Sequence, residues 1–155
     1  MLKDIDNSSG IGTSVPILDP ERNIALYRAL TNAMENNMIR SAHDCSDGGL
    51  SVSLAESCFG FSGGADIDVS EILLSDDELD EWGALFGESL GRIIVSVSPE
   101  NATEFEERME GHAVYKLGKT TSSGKVMISA HGKTILKCDV ASLKAAWKGT
   151  LDRSA

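Results

Sequence analysis

The sequence lacks a run of about 18 consecutive apolar residues, the length that a membrane-crossing helix needs. Basic residues are also scarce, with 14 Lys and Arg against 24 Asp and Glu and a net charge of −10 at pH 7. Because nucleic acids and anionic membrane surfaces are bound by basic faces, we expect neither as a partner. A small nucleotide remains compatible with this charge, since backbone N–H groups and a metal ion can hold its phosphates.

Cysteine is represented only by Cys45, Cys58 and Cys138, and no two of them have the close spacing of a zinc or redox site. We therefore expect reduced, mostly buried thiols. The first residues carry no apolar segment of the kind found in signal peptides. Both features favour a cytoplasmic location.

The chain has 155 residues, of which 41% are hydrophobic, and this is enough for one folded domain. Residues 1–15 show little periodicity and are interpreted as a lead-in or linker. Residues 16–155 are interpreted as a single domain. The 15 glycines are numerous for this length, and their clusters guide the search for a site.

Apolar periodicity and capping residues predict five helices. The first begins at Asp19-Pro20, an N-cap followed by proline, and continues to about residue 39. Its inward stripe is predicted to consist of Ile24, Tyr27, Leu30, Met34 and Met38. The other helices are expected over 48–59, after a capping box at 75–78, from Ser98-Pro99 to Gly111, and from about Ala141. The inner face of the third is predicted to consist of Leu79, Trp82, Leu85 and Phe86.

Strands are predicted over 39–42, 65–69, 92–97, 113–117, 125–130 and 134–140. The β-branched run at 92–97 is the most continuous, which favours a central position in a sheet. Helices alternate with strands before a terminal hairpin and helix. We therefore expect an α/β (α+β) fold with one mixed β-sheet covered by helices, partly ferredoxin-like.

Two Gly-Lys-Thr triplets, at Gly118 and Gly132, resemble the end of a phosphate-binding P-loop. That loop also needs a glycine five positions earlier, where this sequence has Ala113 and Met127. We interpret neither triplet as a nucleotide site.

The richest polar motif is Ser-Ala-His-Asp-Cys-Ser-Asp-Gly-Gly-Leu at 41–50, which follows a predicted strand and opens a helix. Gly48 and Gly49 offer backbone N–H groups at a helix N-terminus, which favours anions. Asp44 and Asp47 could share a divalent cation. A purely structural interpretation stays open, with Asp47 as the N-cap and the glycines as a tight turn.

His43, in the same motif, could donate a hydrogen bond to a phosphate or act as an acid or base. It could equally be a hydrogen-bonded residue at the end of a strand.

The second motif, Gly-Glu-Ser-Leu-Gly-Arg at 87–92, joins the third predicted helix to the strand at 92–97. Glu88 and Ser89 would lie at the end of a sheet, and Arg92 could fix the Glu88 carboxylate or contact a phosphate. The structural alternative is a helix C-cap with a local ion pair.

In their residues and in their order along the chain, the two motifs resemble those of the phosphoribosylformylglycinamidine synthase family. Residues 41–50 followed by Leu54-Ala55-Glu56 are similar to its S-A-H-D-x-S-D-G-G-L…L-A-E signature. Residues 85–92 are similar to its L-F-x-E-S-x-x-R segment. The resemblance extends over about residues 16–148, and it is to the last domain of the synthetase subunit, a type shared with aminoimidazole ribonucleotide synthetase.

The resemblance implies an ATP- and Mg²⁺-dependent ligase of purine biosynthesis, which converts formylglycinamide ribonucleotide to its amidine with ammonia from glutamine. The family enzyme is several times longer, with its ATP-gripping domains and proposed catalytic histidine upstream. The chain is thus expected to be one domain, inactive alone. Expected partners are the upstream domains and the glutaminase and small accessory subunits; a second copy of the chain, in a homodimer, is a further candidate.

By the same resemblance, Asp44 matches a Mg²⁺ ligand in the duplicated sister domain of the family, and Glu88-Ser89-Leu90 matches a substrate-holding E-S-Q stretch. Leu90 departs from that stretch and favours a pocket that binds nucleotide without turnover. The nucleotide- or substrate-binding candidates are His43, Ser46, Asp47, Gly48, Gly49, Glu88, Ser89 and Arg92. Two alternatives remain: a structural or dimerisation module of that enzyme, and a related synthetase or kinase domain.

Overall fold

The computed structural model describes residues 18–61, 63–75 and 79–149. The predicted lead-in at 1–15 lies outside these ranges. The described helices are α1 (Pro20–Glu35), α2 (Gly49–Cys58), α3 (Ser70–Leu74), α4 (Glu81–Phe86), α5 (Ala102–Arg108) and α6 (Val140–Gly149). The strands are β1 (Ile39–Asp44), β2 (Gly64–Asp68), β3 (Ile93–Val97), β4 (Gly118–Thr121), β5 (Lys125–Ala130) and β6 (Lys133–Asp139). None of the described helices is long and apolar enough to span a membrane.

The strands form two sheets, not the single sheet expected from the sequence. β1 and β3 make an antiparallel pair, and the second sheet has the order β4-β2-β5-β6. Within it β2 and β5 are parallel, whereas the outer pairs are antiparallel. The predicted fold class, a mixed sheet with helices, is confirmed.

The central position predicted for the strand at 92–97 is wrong, because β3 pairs only with β1 among the described strands. Its apolar run has another cause. Ile94 packs on the main hydrophobic core, whereas Val95 and Val97 pack on a second, smaller core. Both faces of β3 are therefore partly covered, although the strand lies in a two-stranded sheet.

The main core lies between α2, α4 and α6 and the four-stranded sheet. Its most deeply buried large side chains are Leu85, Ile128, Val69 and Val126. The second core joins α1 to α5 through Ala33, Met38, Phe105 and Met109.

Helix α1 begins as predicted, because the Asp19 carboxylate accepts a hydrogen bond from the Arg22 N–H at 3.1 Å. The helix ends at Glu35, earlier than the predicted end near residue 39, and of the predicted stripe only Leu30 is buried within it; Met38 is buried in the turn before β1. The other members of the stripe, Ile24, Tyr27 and Met34, are exposed. An apolar stripe therefore does not by itself show which neighbour covers it.

The capping box predicted at 75–78 does not start a helix at Ser75. Ser75 instead ends α3, a helix that the sequence analysis did not predict, and 76–78 lie outside the described residues. α4 begins at Glu81, since the Asp80 carboxylate accepts from the Gly83 N–H at 2.7 Å.

The inner face predicted for this helix is correct for Leu85, which is buried, but wrong for Trp82 and Phe86, which are exposed. The later start at Glu81 leaves α4 with six residues, and its buried residues are Ala84 and Leu85.

The strand predicted at 113–117 is absent, and β4 begins immediately after it at Gly118. Gly118-Lys119-Thr120 therefore lies in an edge strand, and Gly132 lies in the turn between β5 and β6. Neither triplet precedes a helix, as a P-loop would require.

Candidate functional site

The two sequence motifs meet at one end of the β1–β3 sheet. Asp44, the last residue of β1, pairs with Ile93, the first residue of β3. One residue further, the Cys45 N–H donates to the Arg92 carbonyl at 2.9 Å. Antiparallel pairing thus brings the loop at 45–48 next to the loop at 87–92.

A hydrogen bond between side chain and backbone joins the two loops directly. The Gly48 N–H donates to Oε1 of Glu88 at 2.9 Å, across 40 residues of sequence. Gly48 is the N-cap of α2, with a φ of 79°, so the interpretation of Asp47 as the cap is wrong. The negative carboxylate of Glu88 lies where the N-terminus of a helix favours an anion.

The neighbouring N–H is also paired, because Gly49 donates to the Ser46 carbonyl at 2.9 Å. The N–H groups of both glycines were predicted to bind a phosphate, and both donate instead to acceptors within the chain. The loop is held closed by its own residues.

Arg92 connects this loop to the end of α4. Its guanidinium donates to the Ala84 carbonyl at 2.7 Å and to the Gly87 carbonyl at 2.9 Å. These carbonyls belong to the last turn of the helix, which leaves its C=O groups without helical partners. Arg92 therefore caps α4, in agreement with the structural alternative for this motif, but its bonds are to carbonyls and not to Glu88.

Asp44 is exposed, and the Ser46 hydroxyl donates a hydrogen bond to its carboxylate. This bond is the main cause that lowers the pKa of Asp44 below its usual value, so the carboxylate is ionised at neutral pH. Among the described residues, no three His, Cys, Asp or Glu side chains are grouped to hold a metal ion. The assignment of Asp44 as a metal ligand therefore stays a prediction.

His43 forms a small network with residues of two helices. Its Nε2 lies 3.0 Å from Oε2 of Glu56 in α2, and Oε1 of Glu56 accepts from the Trp147 indole N–H at 2.8 Å. Sequence analysis did not name Glu56 or Trp147 as site residues. The L-A-E extension of the first motif was the available signal for Glu56, whereas no local signal places Trp147 there.

The remaining candidates lie on the surface of the same loops. Ser46, Asp47, Glu88 and Ser89 are exposed. Of the candidates, the structure joins Glu88 to Gly48, whereas His43 bonds to Glu56 and Arg92 to the carbonyls of α4.

A second polar cluster, not predicted from the sequence, lies at the carboxyl ends of the parallel strands β2 and β5. Asp68 accepts hydrogen bonds from the Ser70 hydroxyl, the Ser70 N–H at 2.8 Å and the Ser129 hydroxyl at 3.0 Å. The Ser70 hydroxyl in turn accepts from the His131 N–H at 2.7 Å. These bonds fasten the start of α3 to the turn after β5.

The bonds in this cluster lower the pKa of Asp68, with the Ser70 hydroxyl as the largest cause. We therefore expect Ser70→Ala to raise the pKa of Asp68 in an NMR titration of its carboxyl carbon. A carboxyl whose pKa is depressed by folding stabilises the fold above its unfolded pKa, and this contribution is lost as the pH falls through the folded pKa. Ser123→Ala, which removes a hydroxyl bonded elsewhere, is the control and should leave Asp68 unchanged. An unaltered Asp68 titration in the Ser70 variant would contradict the assignment.

The fold and the site together define a class of protein: a mixed α/β domain in which a strand–loop–helix motif is joined to a second motif by a carboxylate. The sequence matches the family described as "AIR synthase related protein, C-terminal domain" over residues 2–130. The chain belongs to this family.

Curated relatives are much longer than this chain. The phosphoribosylformylglycinamidine synthase subunit PurL of Lactobacillus helveticus is 43% identical over 122 residues, which cover 79% of this chain and 15% of the relative. The PurL subunit of Carboxydothermus hydrogenoformans is 34% identical over 139 residues, covering 88% and 18%. The chain therefore spans less than a fifth of either relative.

Solved structures show the same fold at 20% sequence identity. Thermotoga maritima PurL complexed with FGAR matches with a TM-score of 0.76, covering 91% of this chain and 24% of that one. T. maritima PurL complexed with ATP matches with a TM-score of 0.68, covering 76% and 21%. In the PurLQS structure from T. maritima the TM-score is 0.75, with 86% and 23% covered.

Proposed function

We propose that this chain is the C-terminal domain of an ATP-dependent phosphoribosylformylglycinamidine synthase and forms one wall of a nucleotide or substrate pocket. The observation that carries the proposal is the antiparallel pairing of β1 with β3, which ends at Asp44 and Ile93. It joins the two motifs that resemble this enzyme into a single surface. The proposal is supported by relatives that bear the synthase name and by their identity of 34–43% to this chain.

The domain is proposed to be inactive alone. The chain spans 15–18% of these relatives, so most of the polypeptide that they use lies outside it. The proposed partners are the upstream domains of the same subunit, together with glutaminase and small accessory subunits. A cytoplasmic location accompanies this biosynthetic role.

ATP and Mg²⁺ are the proposed cofactors of the complete enzyme, in which Mg²⁺ would neutralise phosphate charge. Magnesium is commonly held by one or two carboxylates together with phosphates and water. Asp44 fits this requirement as a single exposed and ionised carboxylate at the mouth of the loop. Its bond from Ser46 orients the carboxylate and keeps it charged.

A structural role is the second candidate, favoured by the pairing of both glycine N–H groups inside the chain. In that role the loop would be a closed turn, and Asp44 would bind no metal ion.

The two roles are separated in a chimera of L. helveticus PurL whose matching 122-residue segment is replaced by this chain. We expect Asp44→Ala to lower ATP-dependent amidine formation at least about tenfold, as loss of a group near a metal commonly does. We also expect it to raise the Mg²⁺ concentration that gives half-maximal activity.

Glu106→Ala is the matched control, because it removes an exposed carboxylate far along the chain in α5. If the Asp44 variant and its parent are equally active, Asp44 does not bind Mg²⁺ and the structural role is supported. A parent chimera without activity, or turnover by the 155-residue chain alone, would contradict the proposed function.

A further inference from the structure

We propose that the exposed face of α4 is a docking surface for a basic protein surface with an apolar centre. This surface, called the α4 face, consists of Trp82 and Phe86 of α4, together with the exposed Leu90 in the loop that follows the helix. The partner is assigned to the remaining polypeptide of the synthase, so the inference rests on the proposed function.

The α4 face exposes large apolar side chains on a firmly held element. Trp82 is 60% exposed, Phe86 40% and Leu90 64%. The Trp82 and Phe86 rings stack with centroids 5.7 Å apart and an angle of 21°. Grouped exposed apolar side chains mark interaction sites, and tryptophan is enriched among the residues that dominate binding.

The opposite side of α4 explains why these rings are held in place. Leu85 is 1% exposed in the main core, and Arg92 bonds the carbonyls at the end of the helix. The rings therefore project from a fixed helix, so their side chains lose little conformational freedom when a partner covers them.

The segment of sequence that contains α4 carries charge of one sign. Residues 41–91 contain twelve of the 24 acidic residues and none of the 14 Lys and Arg. Asp80 and Glu81 begin α4, and Glu88 follows it. The nearest cation along the chain, Arg92, has its guanidinium on backbone carbonyls.

This excess of acidic residues favours a partner with a basic surface. A second copy seated face to face would bring two acidic surfaces together, which is unfavourable, whereas Lys and Arg around an apolar contact would complement the rim. An arginine could also pack over the exposed indole. Because the chain spans only 15–18% of its relatives, the rest of the subunit is the protein available to supply such a surface.

The α4 face is also coupled to the candidate site. The carbonyl carbon of Phe86 and the carbonyl oxygen of Gly87 lie within 3 Å of the position that a Cβ on Gly49 would take. A partner bound to α4 would therefore lie on the helix whose end contacts Gly49. The docking contact is thus beside the proposed pocket.

The test compares the free chain with the L. helveticus chimera by hydroxyl-radical footprinting and mass spectrometry. We expect Trp82 to be oxidised at least about fivefold more slowly in the chimera, because a docked anchor side chain is desolvated. Tyr115, 37% exposed and outside the acidic segment, is the internal control and should change little. In the chimera, Trp82→Ser should lower activity and speed the oxidation of Phe86, whereas Tyr115→Ser should do neither.

The outcomes separate this inference from the proposed function. An active chimera with Trp82 as exposed as in the free chain would overturn the docking surface and leave the function. An inactive chimera with Trp82 protected would support docking and contradict the function. If the free chain sediments as a dimer that Trp82→Ser dissociates, the occupant is a second copy and the proposal of a basic partner is wrong.

If the chimera is insoluble, the test uses the free chain. The probe is then a synthetic amphipathic peptide of lysine and leucine, and the oxidation of Trp82 is measured as the peptide is added. We expect saturable protection of Trp82, weakened by salt, and none from the matching peptide of glutamate and leucine. Protection that is equal for both peptides, or absent with both, would overturn the proposal.

Discussion

Gly49→Ala is expected to destabilise the domain by about 3 kcal/mol, from the left-handed backbone and from overpacking. Gly49 has a φ of 62°, a conformation that side chains other than glycine rarely adopt. An added Cβ would lie 2.7 Å from the Gly87 carbonyl oxygen and 2.8 Å from the carbonyl carbon of Phe86. Because these atoms are backbone, they can move aside only if α4 shifts.

Urea unfolding followed by far-UV circular dichroism measures the loss of stability. Gly111→Ala is the matched control, because Gly111 also has a positive φ, 84°, but has nothing within 4 Å of its added Cβ. It should cost only the conformational part, about 1–2 kcal/mol. If both variants lose the same stability, the close approach of α2 and α4 is not a constraint, and the geometry described for the loop is wrong.

Arg92→Ala is expected to cost about 2 kcal/mol, because hydrogen bonds from a charged donor are worth more than neutral ones. The substitution leaves the Ala84 and Gly87 carbonyls without their partner. It also releases the loop that holds Glu88, so the Gly48 N–H should exchange with solvent faster. Arg92→Lys should recover only part of the stability, since one ammonium group lacks the planar fork that reaches two carbonyls.

The comparison for Arg92 is Arg40→Ala. Arg40 lies 3.5 Å from Glu100, and both side chains are about two-thirds exposed, at 68% and 65%. Exposed ion pairs contribute little, so this variant should unfold at the same urea concentration as the parent. If the Arg92 variant does so too, the capping of α4 has no energetic role.

Sequence reasoning succeeded where the signal is local. The Asp19-Pro20 pair started α1 as expected, and the alternation at 65–69 became β2, shifted by one residue. The turn at His131-Gly132 joins two antiparallel strands as predicted. Each of these features depends on the properties of a few neighbouring residues.

The same reasoning failed where burial depends on which distant segment packs against an element. The β-branched residues of β3 indicated a central strand, but two different helical layers cover its faces. Trp82 and Phe86 fitted an inward stripe together with Leu85, yet α4 begins at Glu81 and buries Leu85 while both rings stay exposed. An apolar side chain predicts burial, but the packing of the whole chain decides which ones are covered.

For the site, the amino-acid pattern was enough to delimit two motifs and to place the first in a loop between a strand and a helix. Three contacts became visible only in the folded chain: Glu88 accepts from the Gly48 N–H, Arg92 donates to the carbonyls of α4, and Glu56 links His43 to Trp147. The difference lies in distance along the chain. Caps and periodicities are set by neighbouring residues, whereas a hydrogen bond across 40 residues exists only after β1 and β3 have paired and brought its two groups together.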